Sequence, residues 1–122
     1  MLLTGPFGAE HAELCSVRRD GAAVRLTGEI DEANWAAIAE RIALEIGAGA
    51  VHLDLTQLGY CGAAGVRALL HGRQALPFGS TLHLTCSPLV FRVLHICGLV
   101  GAEGLMIKQV DANGGRRPGA PG

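Results

Sequence analysis

The sequence predicts an α/β domain: a mixed β-sheet that opens with an antiparallel hairpin and carries its helices mainly on one face. Three observations predict it. Apolar residues alternate in short runs, then recur every four residues, then alternate again, giving the order β-β-α-β-α-β-α-β. Asp20-Gly21 separates the first two extended runs, and an Asp-Gly pair between two such runs signals a hairpin because both residues accept positive φ. Only three helical segments follow, too few to cover both faces of a five-stranded sheet equally.

Residues 1–12 read as an irregular segment broken by Gly5-Pro6-Phe7-Gly8, and the domain proper spans 13–110. Its first two strands are Glu13 to Arg19 and Ala22 to Gly28, where Val24 and Leu26 alternate with Arg25 and Thr27. From Asp31 the period changes: Ile38, Ile42 and Ile46, with Trp35, Ala39 and Ala43, make one helical face, while Glu40, Arg41 and Glu45 fall largely off it. Asp31 or Asn34 is suited to cap this helix and Gly47 to end it. Ala50 to Leu55 is a short Val/Leu-rich strand and Thr56 to Gly62 a loop.

Ala63 to Leu76 reads as the second helix, with Val66, Leu69, Leu70 and Leu76 as its apolar set, stopped by Pro77-Phe78-Gly79. Ser80 to Cys86 alternates Leu82, Leu84 and Cys86 against Thr81, His83 and Thr85, as a strand does. Ser87-Pro88 opens the third helix with a hydroxyl N-cap and a proline at its first position. Leu89, Phe91, Val93, Leu94 and Ile96 are its apolar residues and Gly98 closes it. Leu105 to Val110 is the last strand. Residues 111–122, rich in Gly and Pro with no apolar residue larger than Ala, are expected to be a disordered tail, because burial there cannot offset the entropy of ordering.

Composition excludes several classes of function. Of 122 residues, 49% are hydrophobic and 17% charged, which rules out a wholly disordered chain. The formal net charge is −1, unlike that of a general polyanion binder. Five aromatic residues (Phe7, Trp35, Tyr60, Phe78, Phe91) are too few for base-stacking platforms. The small net charge conceals an asymmetry: residues 1–60 are acidic and residues 61–122 basic, a division that suits a solvated surface or the steering of a protein partner. No basic-then-apolar segment opens the chain, so a cytoplasmic protein with reduced thiols is expected. Its longest apolar region, Pro88 to Ile107, is interrupted by Arg92, His95, Glu103 and three glycines and does not read as a membrane span.

Candidate chemistry is sparse. His83 and Cys86 lie three apart on a strand and point to opposite faces, and His95 and Cys97 lie on different sides of a helix. Neither pair chelates, no CxxC or HExxH occurs, and no metal or other cofactor is expected. There is no G-x-S-x-G elbow. Cys61 precedes a helix, where the dipole can lower a thiol pKa, but packing as a small apolar residue is the expected role. Gly59-Tyr-Cys-Gly62-Ala-Ala-Gly65 follows a strand and enters a helix, as phosphate loops do, but its GxxGxxG spacing suits close packing on the sheet better than a nucleotide motif.

Three segments in order resemble the STAS family, the sulfate-transporter and anti-sigma-factor-antagonist domains. Val24-Arg-Leu-Thr-Gly28-Glu-Ile-Asp31 is similar to the family's strand ending in Gly-Glu-hydrophobic-Asp. Val51 to Leu58, continuing through Tyr60-Cys-Gly-Ala-Ala-Gly65-Val66, is similar to its hydrophobic strand and the Asp-Ser-Ser/Thr-Gly loop at a helix start. Leu82 to Cys86 with Ser87-Pro88 and the run to Leu99 is similar to its late strand and Ser-Pro helix. The resemblance covers roughly residues 13–110 and implies a non-enzymatic, cytoplasmic, bacterial partner-switching regulator. Such a protein binds an anti-sigma factor of the ATP-binding serine kinase type and is switched by phosphorylation of the loop.

At that loop the chain departs from the family. Gly62 stands at the position of the Asp, Ala63 at the first Ser, and Ala64 at the phosphorylated hydroxyl. Alanine has no oxygen to accept a phosphoryl group, so the charge change of the switch is absent. The resemblance implies a partner-binding surface of Asp31, Leu58, Tyr60, Gly62, Ala63, Ala64, Gly65 and Val66, held in an unphosphorylated-like state. Its alternative is a STAS subunit of a transport or lipid-trafficking assembly, or a ligand- or nucleotide-sensing module. In either case no nucleic-acid partner and no membrane insertion are expected.

Overall fold

The computed structural model, which describes residues 14–110, follows the predicted order of elements. β1 (Cys15–Asp20) and β2 (Ala23–Ile30) form an antiparallel hairpin. α1 (Trp35–Gly47) returns to β3 (His52–Cys61). α2 (Ala63–Gly72), continued by a 3-10 turn over Arg73–Ala75, leads to β4 (Leu82–Cys86), and α3 (Pro88–Ile96) leads to β5 (Leu105–Gln109). The expected irregular segment 1–12 and tail 111–122 lie outside the described residues.

The sheet order is β1-β2-β3-β4-β5, with every pair after the hairpin parallel. Because the order never reverses, right-handed crossovers bring all three helices to the same face. Burial agrees: Val24, Leu26, Leu53, Leu55, Leu82 and Leu84 are buried under the helices, while Arg18, Arg25, His83 and Lys108 stand in solvent on the open face.

Several boundaries differ from the sequence reading, and two of them shape the sheet. Asp20 pairs with Ala23, so Gly21 and Ala22 form the centre of the turn rather than Asp20 and Gly21. Gly21, at φ +68°, supplies the left-handed conformation at the first central position. The segment expected as a loop from Thr56 is strand as far as Cys61. Between Arg25 and Thr27 the partner on β3 jumps from Asp54 to Gln57, and between Gly28 and Glu29 from Leu58 to Tyr60. These bulges interrupt the period of two that identifies a strand in sequence. Pairing of β3 with β4 ends at Leu55–Cys86, so Thr56–Cys61 runs on beside β2 alone and carries the following loop to the end of the sheet.

The helix termini show which polar residues are structural. Asp31 Oδ1 accepts hydrogen bonds from the Ala33 and Asn34 amides at 2.9 and 3.1 Å. Asn34 is the N-cap of α1 by position, but its side chain faces backward: Oδ1 accepts from the Asp31 amide at 2.8 Å and Nδ2 donates to the Glu29 carbonyl at 3.0 Å. At 2% exposure it is the one buried polar side chain among the described residues. We predict that Asn34→Leu lowers stability by about 1–3 kcal/mol, because the part-buried bonds to the Asp31 amide and the Glu29 carbonyl are both lost. Urea denaturation checks this.

α2 gives way to the 3-10 turn at Arg73, before the predicted end at Leu76. Ala68 is fully buried on it, whereas Leu70 lies at the surface. Gly72 packs against α1: a Cβ there would come within 2.5 Å of Ile42 Cγ2. Ser87 caps α3 as the sequence predicts, its Oγ accepting from the Val90 amide at 3.3 Å. Only Val90 and Leu94, four residues apart, are fully buried on α3, and Leu89 and Ile96 from the predicted apolar set are exposed.

Candidate partner-binding site

Parallel pairing of Ile30 with Cys61 sets Asp31 and Gly62 next to one another, just beyond the C-terminal ends of β2 and β3. The loops that leave the carboxyl ends of the parallel strands for the helices gather at this end of the sheet. α2 starts there. Gly62 is its N-cap and supplies no side-chain bond, while its carbonyl accepts the Val66 amide at 3.0 Å.

The glycines of this turn serve close packing. A Cβ on Gly62 would lie 2.6 Å from Tyr60 Oη, and a Cβ on Gly65 would collide with Cys61 Sγ. The small residues let α2 rest directly on the end of β3, which accounts for the GxxGxxG spacing without a phosphate.

The structure divides the sequence-predicted site residues. Tyr60 is 53% exposed and Ala63 is also exposed, with Gly62 and Asp31 half-buried between them. Leu58, Ala64, Gly65 and Val66 are buried. Ala64 is only 6% exposed, so its methyl group faces inward and the accessible position of the turn is Ala63. The Asp31 carboxylate already holds the turn before α1.

Other residues complete this surface. Ala63, Arg67 and His71 are spaced by four along α2 and share one side of it. The Arg67 guanidinium lies 5.0 Å from the centroid of the Trp35 ring and its Nη1 is 3.4 Å from Glu32 Oε1. The rings of Trp35 and His71 are 5.2 Å apart. Beside them a groove of about 430 Å³ runs along α1, lined by Trp35, Ala36, Ala39, Glu40, Ala43 and His71. In sequence, the four-residue spacing of Arg67 and His71 marks a shared helix side, but no local signal joins that side to Trp35.

Nucleophilic side chains near the turn are quenched. Burial, with smaller contributions from Cys97 and Cys15, pushes the Cys61 thiol up to about 11, so it is protonated at neutral pH. Burial pushes Cys86 higher still, to about 12. The Thr56 hydroxyl donates to Asp54 Oδ1 at 2.6 Å, and the same oxygen accepts the Thr56 amide at 3.0 Å. Among the described residues no helix is long and apolar enough to cross a membrane, and no three His, Cys, Asp or Glu side chains converge to hold a metal.

Comparison with known proteins agrees with this architecture. The fold is similar to the crystal structure of an anti-sigma factor antagonist from Mycobacterium paratuberculosis, with a TM-score of 0.61 and 22% identity, over 75% of this chain and 83% of that one. No curated protein matches the sequence. Residues 15–108, which run from the first residue of β1 to within β5, match the family model described as "Mlab, STAS domain". With a hairpin-led five-stranded sheet, helices on one face and a tight turn opening α2, the chain belongs to the STAS domain family.

Proposed function

We propose that this protein is a non-enzymatic binding regulator of the anti-sigma factor antagonist kind, engaging an anti-sigma factor of the ATP-binding kinase type through the turn that opens α2. The observation that carries the reading is the surface itself: Tyr60, Ala63, Arg67, Trp35 and His71 present a small neutral helix start flanked by aromatic rings and the Arg67 guanidinium. Such a surface suits a protein interface, in which Trp, Tyr and Arg contribute most of the binding energy.

The turn from Gly62 to Gly65 offers no hydroxyl. Ala64, at the position of the family's phosphorylated residue, is buried and lacks an oxygen. The protein therefore stays in its binding-competent form, and control comes from partner abundance. Thr56, the one Ser or Thr between 56 and 65, uses its hydroxyl within the fold, on Asp54. The missing hydroxyl equally favours a second reading, a subunit of a transport or lipid-trafficking assembly, where no such switch is needed.

Co-purification from the native cell with identification of the bound protein decides between them. A kinase-like ATPase that binds the purified chain directly supports the first reading, and a transporter subunit overturns it. Incubation with that kinase and ATP is expected to leave residues 56–65 unphosphorylated, and phosphate on any of them by mass spectrometry would refute the constitutive state.

A further inference from the structure

On the face of the sheet away from the helices, strand register lines up one row across all five strands: Arg18, Arg25, Asp54, Thr85 and Lys108. Its first pair is unusual. Arg18 and Arg25 are directly opposed on β1 and β2, and like charges in that position are destabilising. Only Arg25 has a carboxylate partner among the described residues. Arg25 Nε donates to Asp54 Oδ2 at 3.2 Å, leaving both terminal nitrogens of Arg25 without a partner among the described residues.

Arg18 forms no hydrogen bond or ion pair among those residues. Arg19 is turned to the opposite face, where its Nη1 meets Glu45 Oε1 at 2.9 Å. Asp54 has little left to offer Arg18. Burial raises its pKa, but the Thr56 hydroxyl and amide and Arg25 outweigh that and hold it below the usual range, as a carboxylate with three bonds already made. Asp20, at the end of the hairpin, reaches neither arginine.

The opposed pair borders a cleft of about 510 Å³, large enough for a small ligand, whose lining is Arg18, Arg19, Asp20, Ala23, Arg25, Thr27 and Asp54, with the Arg19 guanidinium already engaged by Glu45. We propose that this cleft binds a phosphoryl group, as inorganic phosphate or a small phosphate monoester, bridged between the Arg18 and Arg25 guanidiniums with the Thr27 hydroxyl beside it. The donor count selects the ligand class. One guanidinium fork satisfies the two oxygens of a carboxylate, whereas two forks and a hydroxyl match the three terminal oxygens of a phosphoryl group. The dianion also removes the repulsion between the arginines. The site is independent of the α2 surface and of the function proposed for it.

Titration of the full chain with inorganic phosphate, and separately with methyl phosphate, at constant ionic strength tests the site by NMR. Saturable shifts are expected at the Arg18, Arg25 and Thr27 amides and at the Nε–H signals of the two arginines. Tighter binding of methyl phosphate than of inorganic phosphate identifies an ester as the natural ligand class, and the reverse order identifies free phosphate. Arg18→Gln is expected to weaken binding about tenfold or more while leaving the melting temperature of the free protein unchanged or higher, since it removes a like-charge pair. Asp54→Asn is expected to tighten binding several-fold by freeing Arg25, and Arg92→Gln to change nothing. Shifts that fail to saturate, that spread equally over Arg41, Arg67, Arg73 and Arg92, that persist in Arg18→Gln, or that acetate reproduces at equal affinity would overturn the proposal.

Discussion

Gly28→Ala is expected to destabilise the protein by about 3–5 kcal/mol, combining backbone strain with a steric overlap that cannot relax. Gly28 sits at φ +113°, a conformation that side chains other than glycine rarely adopt. It lies opposite Cys15, where β1 begins, and a Cβ there would overlap the Leu14 carbonyl oxygen. That oxygen is not free to move, because it accepts the Glu29 amide at 2.7 Å. Accommodating the methyl group therefore means breaking the first bond of the hairpin. It also disturbs the second bulge against β3, between Gly28 and Glu29, which sets the register of Tyr60 and Cys61. With a total stability of about 5–15 kcal/mol expected for a domain of this size, the variant should be partly unfolded at moderate temperature. Chemical denaturation measures the loss, and a change below about 1 kcal/mol would show that the Leu14 segment yields more easily than its hydrogen bond implies.

Ala63→Asp is expected to reverse the usual link between stability and binding. Ala63 is the first residue of α2 and is exposed, so a carboxylate there interacts favourably with the helix dipole and should stabilise the fold by about 0.3–1 kcal/mol. In the proposed interface the same charge must be stripped of water at the centre of the contact surface. Arg67, four residues on, already lies over Trp35 and beside Glu32, so the new carboxylate is poorly compensated and affinity for the partner should fall about 100-fold. Ala63→Ser, which adds a hydroxyl without charge, should change affinity by no more than a few-fold. Calorimetric titration against the co-purified partner, with a thermal melt of each variant, separates the two effects. An Ala63→Asp variant that binds as tightly as the parent would remove the α2 turn from the interface.

Local signals carried much of the architecture. The four-residue recurrence of Ile38, Ile42 and Ile46 appears as the buried stripe of α1. Ser87-Pro88 opens α3 with the side-chain bond that pair implies, and Gly98, at φ +81°, follows its end. These features depend on residues within a turn or two of each other, and so a periodic pattern reveals them. The resemblance of the three segments to the STAS family likewise reached the right fold.

Contacts between distant residues decided the rest. The bulges in β2 and β3 extend the third strand through a segment that reads as a loop, because register is a property of two strands and not of one. The same geometry turns Leu58, Ala64, Gly65 and Val66 into the core and leaves Tyr60 and Ala63 outside, so half of the surface inferred from the motif is packing. The packing of α2 against α1 brings Arg67 and His71 to Trp35, and antiparallel pairing sets Arg18 against Arg25. The sequence by itself determined which elements form and in what order, since propensity and amphipathic period act along the chain. Only the tertiary structure decided which side chains face solvent together, because that follows from register and helix packing between residues tens of positions apart.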